Sequence, residues 1–161
     1  MSIQLNFHIK TLQKNISILK ELFQFISENY KFPLNFSSYV DLKEDDFKIL
    51  DSIAYRYLKT QSILGEKVFR EILEFGEFNT QNKSFIEILS ELQKEGILEN
   101  INEWQILREI RNSISHDYPY DESEIIEAIN LLYKKIQILD KIVKNIKEKY
   151  DTINKIKSNT N

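Results

Sequence analysis

Apolar residues recur along this chain at intervals of three and four, with little to interrupt them. Ile9, Leu12, Ile16, Leu19, Phe23, Ile26 and Tyr30 make the first such series, the mark of a helix with one buried stripe. Pro33 ends it, because proline lacks the backbone N–H and its ring clashes with the preceding turn. The segment KFPLNFSSYVDLK that follows keeps no period and reads as a loop folded back on the helices, its aromatics plugging the core. A second helix is expected from about Glu44 to Phe75, with Phe47, Leu50, Ala54, Tyr57, Leu58, Leu64, Val68 and Ile72 inward and Gly76 as its stop. A third covers about Lys83 to Glu95, ends at Gly96 and turns Phe85, Ile88, Leu89 and Leu92 to the core. Asn100 with Glu103 three residues on has the form of a capping box, opening a fourth helix from about Ile101 to the neighbourhood of His116. Asp121 and Glu124 repeat that signal. They precede a last long helix with the stripe Ile125, Ile129, Leu132, Ile136, Leu139, Val143, Ile146 and Tyr150, beyond which residues 155–161 are expected to fray.

Five amphipathic helices joined by short polar turns predict an all-α fold, an antiparallel up-and-down bundle, since no single stripe can hide itself without neighbours. Three glycines and two prolines in 161 residues are too few for the turns of a sheet protein. That length suits one domain, residues 1–154, with a single core. No repeat of about 20–50 residues points to a solenoid.

Composition narrows the chemistry. Hydrophobic residues make up 42% and charged residues 29% of the chain, the balance of a globular protein with a solvated exterior. Without cysteine there can be no disulfide or thiolate metal site, and two distant histidines, His8 and His116, argue against a histidine zinc site. No metal or other cofactor is expected. The absence of cysteine fits a reducing compartment, and no stretch has the form of a signal peptide or membrane span, so the expected location is the cytoplasm. A net charge of −3 and a pI near 5.5 make the whole chain no general nucleic-acid binder. Eight lysines between Tyr133 and Asn161 face only Asp140, Glu148 and Asp151. Such a stretch suits either a solvated helix end or contact with phosphate or an acidic partner.

The fourth helix carries the chemistry. At about 100° per residue, Ile106, Leu107, Ile110 and Ile114 fall on one arc, and Arg108, Arg111, Asn112, Ser115 and His116 on the other, with Arg111 at its edge. Tyr118 precedes Pro119 and is thereby pushed out of helical geometry. An imidazole can take a proton from a 2′-hydroxyl or give one to a leaving oxygen, while a guanidinium gives a phosphate bidentate support. Together they can cleave RNA without a metal, with Arg108 and Ser115 as further contacts to RNA. The same spacing also fits a histidine at a helix C-terminus, favoured there as a cation by the dipole, beside arginines on a solvated surface.

The run RNSISHDY, in which Arg111 is followed after four residues by His116 and after one more by Tyr118, resembles the motif of the HEPN superfamily, and Asn112 directly after the arginine matches too. Within it the chain is most similar to the HepT toxin branch, whose partner is the nucleotidyltransferase antitoxin MntA. The segment DSIAYRYLKTQSILGEKVF looks like that branch's second helix, with Asp51, Arg56, Gly65 and Glu66 in the matching order. The resemblance implies a metal-independent endoribonuclease toxin acting as a homodimer whose two motifs face one cleft. Arg111 and His116 would be catalytic, Asn112, Asp51 and Glu66 supporting, and Tyr118 the site of AMP addition by the antitoxin, with Tyr120 as its rival. This chain is not itself the nucleotidyltransferase: none of Gly65, Gly76 or Gly96 is followed by serine, and no Asp-x-Asp pair lies downstream. A non-catalytic subunit that binds substrate for a nucleotidyltransferase and a purely structural helical protein are the alternatives.

Overall fold

The computed structural model describes residues 2–115 and 122–160 of the chain. Its elements are α1 (Ser2–Asn29), α2 (Phe36–Val40), α3 (Glu44–Ile63), a π-helical turn (Leu64–Val68), α4 (Phe69–Phe75), α5 (Phe85–Lys94), α6 (Ile101–Ser115) and α7 (Glu122–Thr160). No strand occurs among the described residues. α1 packs on α3, α3 on α6, α6 on α7 and α7 back on α1, closing a four-sided bundle. Side-chain ties fix the directions. His8 on α1 meets Glu71 on α4 at 2.8 Å, whereas Tyr30, just past the far end of α1, meets Asp46 at the start of α3 at 2.7 Å. α1 and the α3–α4 rod are therefore antiparallel. Lys20 of α1 reaches Asp140 of α7 at 2.6 Å, and Ser2 meets Tyr150 at 3.2 Å, so α7 also opposes α1.

Most of the stripe residues read from the sequence, joined by Leu5 and Ile53, form the core. Leu5, Ile9, Leu12, Leu19 and Ile26 of α1, Ile53, Tyr57 and Leu64 of the α3 rod, Leu107 of α6, and Leu132, Leu139 and Ile146 of α7 have no accessible surface. Each such aliphatic side chain contributes about 1.5–3 kcal/mol, which is what holds helices with so few turn-forming residues in one arrangement. The predicted stops also appear. α3's rod ends at Gly76, and Gly96 closes α5 with φ of +74°, a left-handed position that favours glycine. Ser84 caps α5 with a complete capping box to Glu87. The Asn100 side chain accepts from the Glu103 N–H at 3.0 Å, as the sequence foretold, while Asp121 lies outside the described residues.

Four expectations need correction. The second helix is a continuous rod that changes to a π-helical turn at Leu64–Val68. The segment after Pro33 is not all loop: Asn35 caps the short helix α2. Within it Tyr39 is buried and Phe32 half-buried, but Phe36 is exposed, and Phe47 at the start of α3 is 39% exposed and packs on Tyr39 instead of entering the core. The chain does not fray after Asn154, because α7 runs on to Thr160. Its last turns are held by Lys157, whose ammonium lies 4.6 Å from the centre of the Phe75 ring and 4.0 Å from Glu77.

Candidate functional site

Antiparallel packing of α3 on α6 builds the site. The Tyr57 hydroxyl donates to the Leu107 carbonyl, and Trp104 lies over Gly65, where an added Cβ would meet its indole at 2.9 Å. These two contacts fix register and closeness of approach, and the indole is wedged further between Phe69 and Phe85. Along the outer edge of this seam runs a cleft lined by Gln61, Ser62, Gly65, Glu66, Phe85, Trp104, Arg108 and Arg111. Arg111, Arg108 and Glu66, all named from the sequence, are thus brought together. Neither arginine has a carboxylate within ion-pair distance among the described residues. Among those residues nothing neutralises their charge. Burial pushes the Tyr57 phenol far above its ordinary value, an effect only partly countered by the nearby Arg111 guanidinium, so Tyr57 is a neutral post beneath the arginine.

Other predicted residues fall elsewhere. Asn112 lines a separate depression towards α7 with Glu109, Glu124 and Glu127, and Ser115 is exposed, its hydroxyl donating weakly to the Asn112 carbonyl at 3.4 Å. Asp51 is exposed on α3. It precedes Tyr57 by six residues, about 9 Å of helix, towards the end of the bundle where α6 stops. His116, Tyr118 and Tyr120 lie outside the described residues. Arg56 and Gly65, part of the second-helix pattern, have structural work: the Arg56 guanidinium donates to buried Asn15 at 3.1 Å, tying α3 to α1, and Gly65 makes room for Trp104.

Sequence reasoning missed Gln61 and Trp104. Trp104 stands three residues before Leu107 and Gln61 four after Tyr57, so spacing alone put both on inward faces. The residue type of Gln61 hid it. His8, 8% exposed and bonded to Glu71, belongs to the core and not to a site. The lysines of α7 are mostly neutralised, since Lys141, Lys144, Lys147, Lys149 and Lys157 each sit on a carboxylate. No group of three or more histidine or acidic side chains is placed to hold a metal ion, and no helix is long and apolar enough to cross a membrane, among the described residues. No protein-family model, curated protein or solved structure matches the chain.

Proposed function

We propose that the chain is a HEPN-type endoribonuclease of a toxin–antitoxin pair, cutting RNA without a metal as a homodimer and silenced when a nucleotidyltransferase partner adds AMP to Tyr118. The observation that carries this reading is the ending of α6: Arg111 lies in an open cleft with no acidic partner among the described residues, and the sequence places His116 and Tyr118 five and seven residues after it. In the reaction, the imidazole of His116 takes the proton of a ribose 2′-hydroxyl. The oxygen attacks the adjacent phosphorus, the bond to the 5′-oxygen breaks, and that oxygen leaves with a proton from the second protomer's His116. Arg111 holds the non-bridging oxygens as negative charge builds on them. A passive binding subunit needs neither the imidazole nor a guanidinium left without a carboxylate partner among the described residues.

Expression with and without a nucleotidyltransferase partner tests this reading. The chain alone degrades cellular RNA and arrests growth, whereas Arg111→Ala and His116→Ala do neither. Co-expression restores growth and adds about 329 Da to the peptide containing Tyr118, an anion that repels RNA phosphate from the groove. Retention of the added mass in Tyr118→Phe, with its loss in Tyr120→Phe, would move the modification to the second tyrosine. Intact RNA in cells making the unmodified chain would overturn the nuclease itself.

A further inference from the structure

Gln61 is 5% exposed, yet its side-chain amide makes no hydrogen bond among the described residues, and it lines the cleft beside Arg108 and Arg111. Among the described residues, the enclosed side-chain N and O atoms that lack a partner are Asn15 Nδ2 and Trp104 Nε1; the Gln61 amide is not one of them, so it keeps contact with solvent at the cleft and is open to a ligand. Its polar neighbours bond elsewhere. The Thr60 hydroxyl donates to the Arg56 carbonyl at 2.8 Å, and the Tyr57 hydroxyl is taken by Leu107. The π-helical turn begins three residues after Gln61, at Leu64. Such turns widen the helix locally and recur at functional sites.

The arrangement matches what a nucleobase needs. An amide offers a donor and an acceptor side by side, as the edge of an unpaired base requires. Half-buried Phe85 supplies an apolar wall, and Arg108 and Arg111 line the same cleft with charge suited to phosphate. We propose that Gln61 reads one base of the bound RNA and so sets which sequences the cleft accepts. This inference rests on the ribonuclease reading and adds to it the selection of substrate by a residue outside the Arg111–His116 motif.

Binding of short single-stranded oligomers of A, C, G or U, 2′-O-methylated so that no cleavage intervenes, tests it by fluorescence anisotropy. The wild type favours one base over the least favoured by about tenfold, the effect of one good polar pair. Gln61→Met, which keeps the volume and removes the amide, binds all four alike. Gln61→Glu, which can only accept, changes the order of preference. Cleavage of unmodified RNA, followed in parallel, reports on the nuclease separately. If the wild type cuts RNA but its base preference is absent, or survives in both variants, base reading by Gln61 is overturned and the nuclease stands. A wild type that selects a base but cuts nothing overturns the nuclease and leaves Gln61 its role. A chain that neither binds nor cuts overturns both.

Discussion

Gly65 and Trp104 decide how closely α3 and α6 can approach, and hence where Arg108 and Arg111 stand. A methyl group at Gly65 would begin 2.9 Å from the indole, which cannot retreat because Phe69 and Phe85 hold it on both sides. Alanine gains up to ~1 kcal/mol in helix propensity over glycine, but overpacking a filled seam costs about 1–3 kcal/mol. Gly65→Ala is therefore expected to lower stability by about 1 kcal/mol in urea denaturation, and to reduce RNA cleavage more than its stability alone explains, by tilting the arginines. An unchanged urea midpoint would show that the seam has slack. At this scale the sequence was partly legible. The arginines stood out because they share the polar arc of the fourth helix with Asn112 and His116, whereas Gln61 looked like any surface glutamine, and only the burial of its helix face distinguishes it.

At the level of elements, α1 and α7 are joined by Asp140, whose side chain is only 12% exposed and sits between Lys20 at 2.6 Å and Lys144 at 3.0 Å. Burial alone would raise this carboxyl, but the hydrogen bonds from Lys20 and Lys144 outweigh it and hold the group below its ordinary value. A carboxylate depressed in the folded state contributes fully above its unfolded value, about 3.9, and loses that contribution as the pH falls through the lower folded value. Asp140→Asn is thus expected to cost about 1–2 kcal/mol at neutral pH, with the difference from the wild type closing below about pH 4 in acid denaturation curves. A gap that persists at low pH would assign the loss to packing. The helices themselves were legible because burial repeats with the helical period. The π-helical turn was not, since Leu64, Val68 and Ile72, spaced by four, suit a broad α-helical stripe as well as a widened turn. The helical end of α7 escaped notice because a cation over Phe75 and a distant glutamate hold it, neither of which is visible in local sequence.

At the scale of the whole molecule, the described residues form a helical bundle with Arg108 and Arg111 in a cleft along the α3–α6 seam. One Arg111 is a sparse site for a polyanion, and the proposed two-fold pair of seams would make a groove able to hold an RNA backbone. Light scattering at micromolar concentration is expected to give about twice the chain's 19.3 kDa, and a strict monomer would remove the paired groove from the mechanism. The up-and-down arrangement was readable from five stripes, because each helix can satisfy its apolar face only against a neighbour of opposite direction when the links are short. The proposed function rests instead on a handful of residues in the second half of α6 and just after it in sequence. The most direct measurement is the chemistry of the cut ends when purified protein acts on single-stranded RNA in excess EDTA. The account predicts 5′-hydroxyl and 2′,3′-cyclic phosphate ends, lost in both Arg111→Ala and His116→Ala. Cleavage that requires magnesium, or that continues undiminished in His116→Ala, would contradict it.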